Sequence, residues 1–130
     1  MKTILVADDE PNIRRLIQVN LERAGYCVET AENGKQAWER LQQGGIDLLV
    51  ADQWMPERGG FKLADTIQAS DLPLASLPII LLLILVNFAP DPRFQVKPEW
   101  KSEYICKPFD PQELIRMINR RLGSMSDAIQ

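Results

Sequence analysis

Histidine is missing altogether from these 130 residues, and cysteine occurs only as Cys27 and Cys106, far apart and without metal-knuckle spacing. The chain therefore offers no ligand set for a structural zinc ion. Basic runs are also lacking. Lys and Arg number 15 against 18 Asp and Glu, the net charge is −3 and the pI about 5.0, which argues against direct contact with nucleic acid phosphates. The longest apolar run, Ile79–Val86, is eight residues, well short of the roughly 20 needed to span a bilayer. The N-terminus lacks the apolar length and cleavage site of a signal peptide. These absences point to a cytoplasmic protein whose thiols stay reduced, with no membrane contact.

With 45% hydrophobic and 25% charged residues, the composition supports one α/β domain, and no repeat or low-complexity linker interrupts it. Thr3–Ala7 is a short apolar strand that stops at Asp8-Asp9-Glu10-Pro11. Pro11 suits the first turn of a helix in which Ile13, Leu16, Ile17, Leu21 and Ala24 recur at helical spacing, and Gly25 closes it. Tyr26–Ala31 reads as a strand. A second helix follows Asn33-Gly34, carries Ala37, Trp38 and Leu41, and ends at Gly44-Gly45.

Ile46–Ala51 is the next strand and runs into Asp52, followed by a loop to Gly60 and a helix over Phe61–Ala69. Ile79–Leu83 and Tyr104–Cys106 are the remaining strands, and β-branched, unbroken apolar character marks the former as buried on both faces. Asp110-Pro111-Gln112-Glu113 resembles a capping box opening a final helix, with Leu114, Ile115, Ile118 and Leu122 inward and Gly123 at its end. Alternating strands and helices predict a doubly wound parallel sheet with helices on both faces. Residues 1–123 form the domain and 124–130 a frayed tail. With no output domain after Gly123, the chain reads either as a whole single-domain protein or as the first piece of a longer one.

In such a sheet, ligands bind beyond the carboxyl ends of the strands. Asp8 and Asp9 follow the first strand, Asp52 ends the third and Lys107 follows the fifth, so one edge gathers all four. Taken singly, each has an ordinary explanation as a helix start, a loop cap or a surface charge. Together they describe a carboxylate cluster that needs a cation, Mg²⁺ by ligand type, and a carboxylate able to attack a phosphoryl donor. A nearby Lys offsets charge on the transferred group.

Asp8-Asp9, Asp52-Gln53-Trp54-Met55-Pro56, Gly60-Phe61 and Tyr104-Ile105-Cys106-Lys107-Pro108-Phe109, in that order across nearly the whole chain, resemble the motifs of bacterial two-component response-regulator receiver domains. The resemblance implies a flavodoxin-like five-stranded parallel sheet of order 2-1-3-4-5. It implies Asp52 as phosphoacceptor, supplied by a histidine kinase or phosphotransfer protein, and Lys107 as the phosphoryl contact. For Mg²⁺ it implies Asp9, Asp52 and the Trp54 backbone carbonyl as ligands, with Asp8 holding a metal-bound water. Phosphorylation would alter contacts with a downstream protein partner, and the only catalysis would be self-catalysed phosphoryl acceptance and autodephosphorylation.

Two departures from the family accompany the match. Leu83 stands where a Thr or Ser hydroxyl usually meets the phosphoryl group, and leucine has no donor, which bears on coupling to Tyr104. Asn87–Lys101, where the fourth helix belongs, carries Pro90, Pro92 and Pro98. Interior prolines cost roughly 3 kcal/mol each, so that helix is expected to be missing or reduced to about one turn near Pro98–Lys101. Trp100 and Phe94 would then cover apolar strand, and apolar surface near Phe88–Phe94 would favour a homodimer. Trp54, beside the acceptor, would pack there or restrict water. Cys106 reads as a reduced core thiol.

A different class remains open: a receiver-like interaction module read without phosphorylation. Haloacid-dehalogenase-type phosphatases want a second acid two residues past the nucleophile, where this chain has Trp54.

Overall fold

Ile4, Leu5, Val6 and Ala7 are all wholly buried. A strand with one face in water cannot do this, so β1 (Thr3–Ala7) is covered on both sides. The computed structural model describes residues 1–53, 55, 59–71, 73–86, 89–90 and 102–123. Parallel ladders join β1 to β2 (Cys27–Ala31) and to β3 (Leu48–Asp52), β3 to β4 (Ile79–Val86), and β4 to β6 (Ser102–Lys107). The five parallel strands thus lie in the order β2-β1-β3-β4-β6, the expected 2-1-3-4-5.

Strand alternation divides the core into two. Leu5, Ala7, Leu49, Ala51, Leu81 and Leu83 face α2 (Gly34–Leu41) and α3 (Gly60–Gln68), meeting Ala37, Leu41, Leu63 and Ile67. Ile4, Val6, Leu48, Val50, Ile80 and Leu82 face α1 (Pro11–Arg23) and α4 (Pro111–Leu122), meeting Ile17, Leu21, Leu114 and Ile118. Each fully buried leucine or isoleucine contributes about 1.5–3 kcal/mol of transfer free energy.

The punctuation works through the expected chemistry. Pro11 is the first residue of α1, where its missing N–H has no partner to lose. The Asn33 side chain accepts from the Gln36 amide and that of Asp110 from the Gln112 amide, capping α2 and α4. Gly25 (φ +99°) and Gly123 (φ +60°) take the left-handed conformation just past α1 and α4.

Several expectations shift. β2 begins at Cys27, not Tyr26; Tyr26 is buried and its hydroxyl donates to Asn119 Oδ1 on α4. The third strand begins at Leu48 rather than Ile46, and α3 covers Gly60–Gln68. Leu16, placed on the inner stripe of α1 by its spacing, is 43% exposed, while Met117 on α4 is buried and had no place in that pattern. β4 runs on to Val86, three residues past the expected Leu83, because Ala89–Pro90 (β5) pairs antiparallel with Leu85 and Val86. At Ala89 and Pro90 the chain is therefore extended where the family has helix. Four α-helices occur among the described residues. The one-turn remnant near Pro98–Lys101, and the roles given to Phe88, Phe94 and Trp100, lie outside those residues.

Candidate functional site

Period-two alternation carries the site into being. On β1 the residues Ile4 and Val6 point to the α1/α4 side, and Asp8 continues that series. On β3, Leu48 and Val50 point the same way, and Asp52 follows. On β6, Ile105 does so, and Lys107 follows. Three strand ends thus deliver two carboxylates and one ammonium to one side of the sheet's carboxyl edge.

Asp8 is wholly buried and Asp52 is 2% exposed. Lys107 Nζ lies 3.3 Å from Asp8 Oδ2, 3.2 Å from Asp52 Oδ1 and 3.4 Å from Glu10 Oε1. The second oxygen of Asp8 accepts from the Glu10 amide at 2.9 Å, and Arg14 Nη1 donates to the Asp8 carbonyl at 2.8 Å. Asp52 Oδ1 is buried and, despite its ion pair with Lys107, makes no hydrogen bond among the described residues. Carboxylate oxygens of Asp8, Glu10 and Asp52 all lie within 4.8 Å of one another, a cluster able to hold a metal ion.

The electrostatics follow from crowding. Burial, then the charge of Asp8, pushes the Asp52 carboxyl up to about 6, with Lys107 pulling the other way. Burial likewise raises Asp8, against the Glu10 amide and Lys107. For Lys107, burial pulls the ammonium down, but Asp52 and Asp8 outweigh it and the net shift is upward. Lys107 is thus charged at neutral pH, while ionised Asp52 is held at a cost.

Of the residues expected at the site, Asp8, Asp52 and Lys107 come together. Asp9 is exposed and outside the cluster, although its charge still reaches Asp52. Trp54, with its backbone carbonyl, lies outside the described residues. Leu83 is 4% exposed and sits in the core on the α2/α3 side, next to Cys106 in register, and Cys106 is half-buried against that core. Tyr104 is 51% exposed. Glu10 and Arg14 were not picked out by sequence reasoning. Glu10 stands two residues past Asp8, where the bend at Asp9 turns its amide onto Asp8 Oδ1, a local turn that an Asp before a helix start can signal.

The end of β3 is braced by a close backbone approach. A methyl group on Gly60 would lie 2.6 Å from the Asp52 carbonyl oxygen and 3.0 Å from Leu81 Cδ2, and one on Gly59 would collide with the Gln53 carbonyl oxygen. Gly60→Ala is accordingly expected to lower stability by about 1–3 kcal/mol, the usual toll of overpacking. Urea unfolding measures it, and an unchanged midpoint would contradict the close approach. Beside Lys107, a cavity of about 390 Å³ is lined by Glu10, Ile13, Leu16, Lys107, Pro108 and Phe109.

A doubly wound parallel sheet of order 2-1-3-4-5 with acidic groups and a lysine at its carboxyl edge defines a flavodoxin-like fold with a candidate cation site at that edge. Residues 4–119 match the model of the response regulator receiver domain, and the chain belongs to that family. It is 38% identical over 126 residues to the phosphate regulon transcriptional regulatory protein PhoB of Pseudomonas aeruginosa, covering 94% of this chain and 53% of that protein. The chain spans about half the length of the first curated relatives it matches. Among solved structures it is similar to a receiver domain of a signal transduction histidine kinase from Syntrophus aciditrophicus, with TM-score 0.81, 28% identity and 96% and 92% of the two chains covered. It is also similar to the response regulator TrrA of Thermotoga maritima in complex with Mg²⁺ and BeF, with TM-score 0.75, 34% identity and 92% and 98% covered. TrrA has further been solved in complex with the histidine kinase ThkA. No helix among the described residues is long and apolar enough to cross a membrane.

Proposed function

We propose that this receiver domain accepts a phosphoryl group on Asp52, with Mg²⁺ as cofactor, from a histidine kinase or phosphotransfer protein. The observation that carries this is the Asp52 carboxylate: buried, with Oδ1 held against Lys107 Nζ at 3.2 Å and a carboxylate cluster around it. That oxygen attacks phosphorus, an O–P bond forms and the bond to the donor's leaving atom breaks, its electron pair departing with the donor. Lys107 Nζ, already 3.2 Å from the carboxylate, meets the phosphoryl oxygens and offsets their charge. Bound Mg²⁺, held by Asp8, Asp52 and neighbouring acidic groups, would supply charge neutralisation for the same oxygens. The domain's own catalysis is confined to this acceptance and to hydrolysis of its own aspartyl phosphate.

A cavity beside Lys107 supports the protein-donor part of this reading. Ile13, Leu16, Pro108 and Phe109 form an apolar cleft directly beside Lys107, and Leu16 is unusually exposed for a leucine on a helix. A helical partner laying its apolar stripe there brings a phosphorylated side chain to Asp52. Leu16→Asp is expected to slow transfer from a protein donor at least about tenfold, the equivalent of roughly 1.4 kcal/mol, while leaving acceptance from acetyl phosphate unchanged. Equal rates from the protein donor would remove the cleft from the account. Cytoplasmic location and a downstream protein partner belong to the same reading.

One observation favours a second reading. Leu83 places buried hydrocarbon, with no donor, near the acceptor end of β4. A module read by its partner without phosphorylation would tolerate that. Amide spectra recorded with Mg²⁺ and beryllofluoride separate the two: shifts at Asp8, Asp52 and Lys107 support acceptance, and unmoved spectra leave the unphosphorylated module. Shifts that stop short of Tyr104 and α4 would mean chemistry without the usual switch.

A further inference from the structure

We infer that Arg14 is a positioning residue for the acceptor site: by holding the Asp8 carbonyl, its guanidinium fixes the bend through which the chain presents Asp8 and Asp9 to a divalent cation. The inference rests on the phosphoryl-acceptor reading above and concerns what aims the carboxylates at the end of β1. Asp8 lies one residue past the last ladder pair of β1 with β3, Ala7 with Ala51. Its carbonyl accepts from Arg14 Nη1 at 2.8 Å instead of from a neighbouring strand. A peptide unit is planar, so holding that oxygen also holds the direction in which Asp9 leaves. The chain bends at Asp9, and the bend sets the Glu10 amide against Asp8 Oδ1 at 2.9 Å. The Asp8 amide meets the Ala31 carbonyl at 3.2 Å, and Asp8 Oδ2 faces Lys107 Nζ at 3.3 Å. The hold on the peptide between Asp8 and Asp9 is the one Arg14 supplies.

A second observation concerns where the arginine stands. Arg14 lies in the first turn of α1, a helix whose N-cap, Glu10, makes no side-chain cap hydrogen bond and whose first turn carries no acid. A cation at that end opposes the helix dipole, so helix electrostatics alone disfavour it. Arg15 beside it is exposed, whereas Arg14 is half-buried with its guanidinium on the Asp8 carbonyl. A hydrogen bond from a charged donor is stronger than a neutral one, which suits a group that must fix a turn. The charge also gives the inference a sign. Arg14 and a bound cation repel each other, so losing the charge alone would tighten Mg²⁺ binding, whereas losing the hold weakens it.

The test is calorimetric titration of Mg²⁺, at constant ionic strength, into the wild-type chain and the Arg14→Met, Arg14→Gln, Arg14→Lys and Arg15→Met variants, with amide exchange measured on the cation-free proteins. Arg14→Met and Arg14→Gln are expected to weaken Mg²⁺ binding roughly tenfold, the scale of losing one supporting partner of a metal ligand. Arg14→Lys should recover part of the loss. Arg15→Met removes the same charge from the exposed neighbour and should bind no more weakly than wild type. Without cation, the Glu10 amide should exchange faster in Arg14→Met while the amides of buried Leu5 and Val6 keep their protection, which separates a local hold from a general loosening of the fold. Either neutral Arg14 variant binding Mg²⁺ as tightly as wild type or tighter, equal weakening by Arg15→Met, or a Glu10 amide that exchanges at the wild-type rate overturns the inference while leaving the acceptor site standing. Absence of Mg²⁺ binding by the wild-type chain overturns both.

Discussion

Asp52→Asn is expected to make the domain more stable at pH 7.5 while abolishing its capacity to be phosphorylated. The Asp52 carboxyl sits at about 6 in the folded protein, against an ordinary value of 3.8, because burial and Asp8 oppose its ionisation. A raised carboxyl contributes stability below its unfolded value that is lost as pH climbs through the folded one. Above pH about 6 the ionised group therefore costs the fold on the order of 3 kcal/mol relative to pH below 3.8. Asparagine carries no such charge, but its amide must find partners in a buried site, so the net gain should be about 1–3 kcal/mol. Scanning calorimetry should show Asp52→Asn melting some 3–10 °C above wild type at pH 7.5, the two curves converging near pH 4. A variant that melts lower at both pH values would mean that Asp52 pairs favourably and that the site is not under charge stress.

Lys107→Ala should move the protein the other way. Lys107 is the cation within 3.2–3.4 Å of Asp52, Asp8 and Glu10, and its side chain is only 15% exposed. Removing it strands two buried carboxylates, and breaking such an arrangement from one side costs roughly 3 kcal/mol. The loss should be proton-linked: larger above pH about 6, where Asp52 is ionised, and fading as the pH falls and the carboxyls take up protons. Mg²⁺ should rescue Lys107→Ala more than it stabilises wild type, since the metal then replaces the ammonium that Asp8 and Asp52 both face. Adding Asp52→Asn to Lys107→Ala should restore much of the stability, an interaction seen as non-additivity in a double-mutant cycle of urea midpoints. Additive effects would show that the lysine and the aspartate act separately.

The opposite signs of these two substitutions express one physical fact. A site that must hold a reactive carboxylate away from water accepts a standing electrostatic cost there, met by the two apolar cores on either side of the sheet.

Most of this architecture is written in local patterns. The wholly buried stretch of β1, the Pro11 and Asp110-Pro111 helix starts and Gly25 and Gly123 each follow from the residue's own conformational limits, so they are readable without knowing what packs against them. Asp8, Asp52 and Lys107 were also legible, because strand ends and period-two alternation place them without any tertiary information. What escaped is what depends on neighbours. Leu16 fits the apolar stripe of α1, yet it is 43% exposed and borders the open cavity shared with Lys107, Pro108 and Phe109, which come from a distant part of the chain. β4 extends past Leu83 because β5, only a few residues further on, turns back to pair with it, and the apolar run alone does not show where the chain turns. Arg14 reaches the Asp8 carbonyl only because α1 folds back over the end of β1.

The central claim, that Asp52 is a metal-assisted phosphoryl acceptor, is tested most directly by intact-mass measurement after exposure to acetyl phosphate, with and without Mg²⁺. Wild type should gain the mass of one phosphoryl group only when Mg²⁺ is present, with the adduct mapping to Asp52, and Asp52→Asn should gain none. A wild-type chain that stays unmodified, or an equal adduct on Asp52→Asn, would contradict it.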